Sequence, residues 1–366
     1  MKTFFNHLFW TNRPLIAQGS LMRVKHAGPF FGHDKATHPV AWGAMSGLDS
    51  GQFDYAIHKK PEQDDYQSLI EDLYERMKDG KELMVYLHGY SHSFNKLIGN
   101  VELFHRLYID PPQSTIGHLL TFSWPSAGNF WQYHYDREMC TASAHQLMAF
   151  ARDLHKYPTH LTDSERAEFL SRVNLAAGSM GVFLLQEFAQ LWAQEGDIRP
   201  TFNEVVQAGS DVPFDVYHDK GPMTSVPRLA RRVHIYHSQK DNLLHRSRIV
   251  NRINRLGLSG WDKDTIDSDK LVFVDCLEPT VYTLRDRMYG KQRAERTYHT
   301  LHNYMERCPE IMEDIIEILR HEPEHGIKGR VKNSVLGAPK TQGNLYKLLA
   351  QPDITERHKD DYPVWL

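Results

Sequence analysis

Ser179 stands in the run Val173-Asn174-Leu175-Ala176-Ala177-Gly178-Ser179-Met180-Gly181, a short apolar stretch that closes on small residues around one hydroxyl. A serine with small residues two places before and after it fits a strand that turns sharply into a helix and lifts the hydroxyl clear of the backbone. Small residues are needed because neighbouring chains approach closely and the serine takes a strained conformation. The turn also aims the Met180 N–H, at the helix start, towards an oxygen that gains negative charge. Ala177 stands where glycine is more usual, and a methyl group is tolerable there. The chemistry this permits is nucleophilic attack on an acyl carbon. The plainer alternative is a strand-to-helix turn in which Ser179 only caps the helix.

A serine hydroxyl is a weak nucleophile until a histidine takes its proton and an acid orients that histidine. On such a turn the chain order is serine, acid, histidine, and Ser179, Asp241 and His302 satisfy it. Asp241 ends His237-Ser238-Gln239-Lys240-Asp241, after the strand expected at Val233 to Tyr236. Asp211, in Gly209-Ser210-Asp211 after the preceding strand, is the competing acid, and the unused one of the two is expected to cap a loop. His302 follows the last expected strand, and His299, one helical turn earlier, is the alternative base. A second oxyanion donor is expected after Val85-Tyr86-Leu87-His88-Gly89-Tyr90. Gly89 allows the turn, the Tyr90 N–H points at the substrate oxygen, and His88 shapes the loop through its ring. Trp124 and Trp131, with Phe130 and Tyr133, are expected to wall a pocket for an apolar acyl or alkyl group, with plain core packing as the rival. Asp136 and Arg137 are expected to form a structural ion pair, with a polar anchor as the rival reading.

These residues need strands that end on one edge. Asp54 to His58 reads as a strand, and Tyr66, Leu69, Ile70, Leu73 and Met77 follow at helical spacing with Gly80 as a stop. Leu83 to Leu87, Leu119 to Phe122, Val173 to Ala177, Glu204 to Ala208, Val233 to Tyr236 and Leu271 to Val274 read as further strands. Helices are expected over Phe94 to Leu107, around Leu147 to Leu154, over Val182 to Trp192 and over Asn242 to Leu256. Thr162 with Glu165 makes a capping box for one more. The alternation predicts an α/β fold with a doubly wound, mainly parallel sheet, whose strand ends collect the chemistry on one edge. Residues 1–50 are expected to form an extension, cap or added edge, residues 51–320 the main domain, and residues 321–366 a C-terminal arm.

Four motifs occur in order: His88-Gly89-Tyr90-Ser91-His92-Ser93-Phe94, Phe122-Ser123-Trp124-Pro125-Ser126-Ala127-Gly128, Tyr135-Asp136-Arg137-Glu138 and Ser179-Met180-Gly181. Together they resemble a family of uncharacterised bacterial α/β-hydrolase-like proteins, a domain of unknown function with the pattern HGYN-x-SF, FSWPSAG, YxxDRE and AHSMGN. The resemblance covers roughly residues 80–315 and implies an α/β-hydrolase fold, with no agreed substrate. His302-Asn303-Tyr304 resembles the family's late His-x-Tyr element, and Asp241 and Asp211 both resemble motif positions. Gly178 replaces the family's histidine before the serine, and Val182 its asparagine after Ser-Met-Gly.

Composition narrows the rest. Hydrophobic residues at 41% of 366 suffice for a sizeable core, and a net charge of −3 gives no broad nucleic-acid or membrane footprint. The 22 histidines read most simply as a surface scatter. Cys140, Cys276 and Cys308 form no framework, which fits a reducing compartment, and no leader or spanning run stands out, so a cytoplasmic location is expected. The arginines 228, 231, 232, 246, 248, 252 and 255 read as a solvated face, the last four on one helix. His33 with His38, and His155 with His160, lack convergent ligands, so no metal and no cofactor is expected. The sequence therefore predicts a serine hydrolase of esterase or thioesterase type for a small or medium acyl substrate, without nucleic-acid partners and with a homo-oligomer left open. Alternatives are a catalytically silent binding or scaffolding protein, to which Gly178 and Val182 point, and an acyltransferase.

Overall fold

The computed structural model describes residues 3–18, 21–24, 41–48, 53–58, 66–280, 302–320, 326–332 and 344–351. Its centre is an 11-stranded sheet. The N-terminal strands are β1 (Thr3–Thr11), β2 (Leu15–Gln18), β3 (Leu21–Val24), β4 (Ala41–Leu48) and β5 (Phe53–Ile57). There follow β6 (Glu82–Leu87), β7 (Ile116–Ser123), β8 (Val173–Gly178), β9 (Phe202–Ala208), β10 (Ala230–His237), β11 (Leu271–Asp275), β12 (Arg330–Lys332) and β13 (Leu345–Leu348). The spatial order is β12-β13-β11-β10-β9-β8-β6-β7-β1-β4-β5, with β2 and β3 as a separate hairpin. Every neighbouring pair from β13 through to β1 is parallel. Antiparallel strands close both edges: β4 and β5 beyond β1, and β12 beyond β13.

Helices cover both faces, because parallel strands need crossovers that pack back onto the sheet. On one face lie α1 (Gln67–Arg76), α3 (Tyr133–Leu154) and α5 (Met180–Glu195), whose Leu73, Phe150 and Phe188 share a core with Leu83, Val85 and Leu87 of β6. The other face holds α2 (Phe94–Phe104) and, late in the chain, a helix over Pro309–Leu319; Met84 and Tyr86 of β6 point into that core. Two apolar faces on one strand give a continuous hydrophobic run in place of an alternation. The Thr162–Glu165 box caps α4 (Asp163–Leu170), with both reciprocal bonds made.

The sheet crosses the divisions expected near residues 50 and 320. β1 and β4 come from the N-terminal stretch and β12 and β13 from the C-terminal one, and all four are hydrogen-bonded into it. Three local expectations change. The helix expected around Leu147 begins at Tyr133, so the aromatic loop is partly its first turn. The helix over Asn242 to Leu256 is two: α6 (Asn242–Asn251) stops at Arg252, whose φ of 55° is left-handed, and α7 (Leu256–Ser259) follows. β11 is not the last strand, since β13 returns to lie parallel to it. The last two helices are α8 (Tyr304–Arg307) and α9 (Pro309–Leu319).

Candidate active site

At the C-terminal end of β8 the chain turns through Ser179 into α5. Ser179 has φ 54° and ψ −118°, a conformation rare for a residue with a side chain. Its N–H donates to the Ala208 carbonyl at 2.9 Å, while its own carbonyl accepts from Val182 and Asp211 at 3.1 and 3.2 Å. Those bonds to β9 and the loop after it hold the strain. Close approach explains the glycines: a Cβ on Gly181 would lie 2.3 Å from the Leu87 carbonyl oxygen, and one on Gly89 would lie 3.1 Å from Ser179 Cβ. Gly178 is less constrained, since a Cβ there would meet only Met305 Cε at 3.3 Å. Val182 is fully buried in the core.

Three side chains from distant segments meet in series. His302 Nε2 lies 2.7 Å from Ser179 Oγ, and its Nδ1 lies 2.7 Å from Asp241 Oδ2. Asp241 caps α6, accepting from the Leu244 N–H on Oδ1 at 3.0 Å, so the carboxylate cannot swing away. Tyr304 Oη donates to the same Oδ2 at 2.6 Å. Burial works to lower the His302 pKa, but the Asp241 charge and hydrogen bond outweigh it and raise the imidazole above its ordinary value. Burial, with the nearby Asp241 charge, pushes the Tyr304 phenol well up, so it stays a donor. His299 lies outside the described residues.

Asp211 takes another role. It pairs with Arg255 Nε at 3.1 Å and accepts from Tyr133 Oη at 2.9 Å and from Ser247 Oγ. Both ionic side chains are buried, 1% and 3% exposed, so their mutual charge compensation ties the loop after β9 to α7 and α3. Arg255 is thus no part of a solvated helix face; on β10, Arg232 and the exposed Arg231 pair with buried Glu204.

The loop after β6 is held from beneath. The His88 ring stacks on Trp124 with centroids 4.7 Å apart, its Nδ1 lies 2.8 Å from the Gly89 carbonyl, and Trp124 Nε1 donates to the His88 carbonyl at 3.0 Å. Burial drives the His88 pKa well down, so the ring is neutral. Asp136 does not pair with Arg137, which instead stacks 3.6 Å over the Phe183 ring. Asp136 is a buried clasp: it accepts from the Ser91 N–H at 2.9 Å, Ser126 Oγ at 2.6 Å and the Ala127 N–H at 2.7 Å. Arg13, just past β1, completes the clasp by donating to Ser123 Oγ, the Ser126 carbonyl and the His92 carbonyl at 2.8, 2.9 and 2.7 Å. Burial lowers its pKa to about 9, which leaves it charged at neutral pH. No local sequence signal marks Arg13 for these contacts, and Tyr304 is visible only within the His-x-Tyr element, because each reaches a partner more than 60 residues away.

Ser179 and His302 open on a cavity of about 260 Å³ bordered by Gly89, Tyr90, Phe130, Leu243 and Met305. Trp124 lies buried behind it and Trp131 is 88% exposed outside it, so neither wall expected from tryptophan is formed. Among the described residues, the Tyr90 and Met180 N–H groups have no protein acceptor, and both residues flank Ser179. Among the described histidines, His58, His134, His145 and His160 are exposed, whereas His7, His88, His234 and His302 are buried, and burial lowers His92 to about 3. His155 bonds Thr201 Oγ1 at 3.0 Å. His33 and His38 lie outside the described residues. The three cysteines are buried, and no described helix is long and apolar enough to cross a membrane. His218, Asp262 and Asp264 come within ligand-like reach of one another, a grouping that sequence spacing hides.

A doubly wound parallel sheet with a strained serine at its central strand-to-helix turn is the architecture of the α/β-hydrolase fold. The chain belongs to the family described as alpha/beta hydrolase of unknown function (DUF900), which matches residues 63–272. No curated protein matches it. Among solved structures, it is similar to the crystal structure of Porphyromonas gingivalis dipeptidyl peptidase 4 at 10% identity and a TM-score of 0.25, over 58% of this chain and 30% of that one. The chain thus spans under a third of that protein's length.

Proposed function

We propose that the protein is a serine-dependent hydrolase of carboxylic esters or thioesters that works through an acyl-Ser179 intermediate. The observation that carries this reading is the hydrogen-bonded series Ser179 Oγ, His302, Asp241 at 2.7 Å per link. His302 Nε2 takes the hydroxyl proton as Oγ bonds to the acyl carbon, and Asp241 holds the ring and balances the imidazolium. The tetrahedral oxyanion accepts from the backbone N–H groups of Tyr90 and Met180. Collapse breaks the bond to the leaving oxygen or sulfur, which receives the His302 proton. Water, deprotonated by the same nitrogen, then attacks the acyl-serine; the acid product leaves and Oγ regains its proton.

A cavity of about 260 Å³ with Leu243, Phe130 and Met305 in its walls favours a short or medium apolar acyl group. The test is labelling of the purified protein by a fluorophosphonate probe, with Ser179→Ala and His302→Ala as controls and peptide mapping of the adduct. Label on Ser179 that vanishes in both variants supports the reading. A folded wild type that stays unlabelled, and cleaves no ester, overturns it in favour of a silent binding protein.

A further inference from the structure

Five large apolar side chains among the described residues stand exposed: Phe130 46%, Trp131 88%, Ile249 73%, Val250 53% and Val331 41%. Val331 lies on edge strand β12, Ile249 and Val250 lie on α6, and Phe130, with Trp131 beside it, stands at the Ser179 cavity. Phe130 borders the cavity and its ring sits 5.8 Å from that of Trp131 and 5.9 Å from that of Tyr90. Tyr90 packs on Tyr133, whose Oη is 3.2 Å from Ser247 Oγ and accepts from Asn251 Nδ2 at 3.0 Å. The face of α6 that carries Ser247 and Asn251 is therefore docked beside the turn that carries Phe130 and Trp131, and Ile249 and Val250 belong to the exposed remainder of the same helix. Leu243 at the start of α6 lines the same cavity. Asn129 Oδ1 accepts from the Trp131 N–H at 2.8 Å, which fixes the aromatic turn in its outward pose.

Basic side chains predominate on the exposed surface of α6 beside this cavity, and Glu306 is the acidic residue among its lining. Arg246, Arg248 and Arg252 are exposed on or at the end of α6, interleaved with Ile249 and Val250. None of the three has a carboxylate partner among the described residues. Lys96, also exposed, borders the cavity. Exposed aromatic and aliphatic groups cost free energy in water unless something covers them. A cover that takes both apolar tips and guanidinium groups is the boundary of an anionic lipid layer, where Trp and Phe seat at the headgroup level and Arg meets phosphate. A protein partner of ordinary make-up would more often match apolar groups or charges in separate zones.

We propose that this rim docks the protein on anionic lipid surfaces, so that the ester entering the cavity is one presented by the lipid layer. The proposal rests on the hydrolase reading for its substrate, while docking itself does not need it. The experiment is flotation of the full chain with phosphatidylcholine vesicles, with and without phosphatidylglycerol, alongside hydrolysis of a water-soluble acetate ester. Wild type is expected to partition at least tenfold better into the anionic vesicles, and less so as salt rises. Ile249→Ser with Val250→Ser should lose roughly tenfold in binding, and Arg248→Glu roughly fivefold or more, with cleavage of the soluble ester unchanged in both. A wild type that cleaves the soluble ester but floats with neither vesicle overturns the lipid surface and points to a protein partner. One that floats with anionic vesicles but cleaves nothing keeps the surface and refutes the chemistry instead.

Discussion

Tyr304→Phe isolates one bond at the heart of the site. Tyr304 Oη and His302 Nδ1 both address Asp241 Oδ2, at 2.6 and 2.7 Å. The phenol draws part of the carboxylate charge towards itself, and so weakens the field that Asp241 exerts on His302. Its removal leaves that charge for the imidazolium alone, so the His302 pKa, already raised, rises further. A hydrogen bond to a charged group contributes about 1.5–3 kcal/mol. Taking about 1 kcal/mol of that as the part that differs between neutral and protonated His302, and 1.36 kcal/mol per pKa unit, the shift is roughly 0.7 unit upward. The assay is the pH profile of kcat/KM on a soluble ester, whose acid limb reports the free enzyme's base. The limb should move up by that amount, with the plateau lowered no more than about tenfold, since Ser179, His302 and Asp241 all remain. Thermal melting checks that the variant is folded. An acid limb that stays in place or moves down would refute the reasoning and leave Tyr304 as core packing.

Other perturbations separate the two acids and test the turn. Asp241→Asn should lower kcat by about 10⁴-fold. Asp211→Asn should shift the acid limb downward, since the Asp211 charge helps to raise the His302 pKa, and should lose about 3–5 kcal/mol of stability in urea unfolding, because Arg255 is left buried beside a neutral group. Gly181→Ala drives a methyl to 2.3 Å from the Leu87 carbonyl oxygen; soluble yield and fluorophosphonate labelling should both collapse, whereas Gly178→Ala should retain both. The raised His302 pKa also sets a sign for stability: its contribution is full below about pH 6.5 and fades as pH rises through the folded value. The stability gap between wild type and Asp241→Asn, by urea unfolding, should therefore be wider at pH 5.5 than at pH 8.5.

The sequence by itself determined the parts whose cause is local. Small residues around Ser179 write the turn, because only they fit beside Leu87 and under the strained backbone. Apolar runs such as Leu83 to Leu87 mark strands buried on both faces, and the Thr162 box writes its own helix start. The order serine, acid, histidine left two acids and two bases open. Only the tertiary structure decided that Asp241, and not Asp211, meets His302, since both follow strands that end on one edge and differ in what the next helix brings to them. It also set the edges of the sheet, because β1 pairs with β7 and β13 with β11 across long stretches of chain that no local periodicity can match. The clasp of Arg13 and Asp136, the burial of Trp124 and the exposure of Trp131 belong there too. A side chain's type fixes what it can bond or bury, but its partner is fixed by which strands lie side by side.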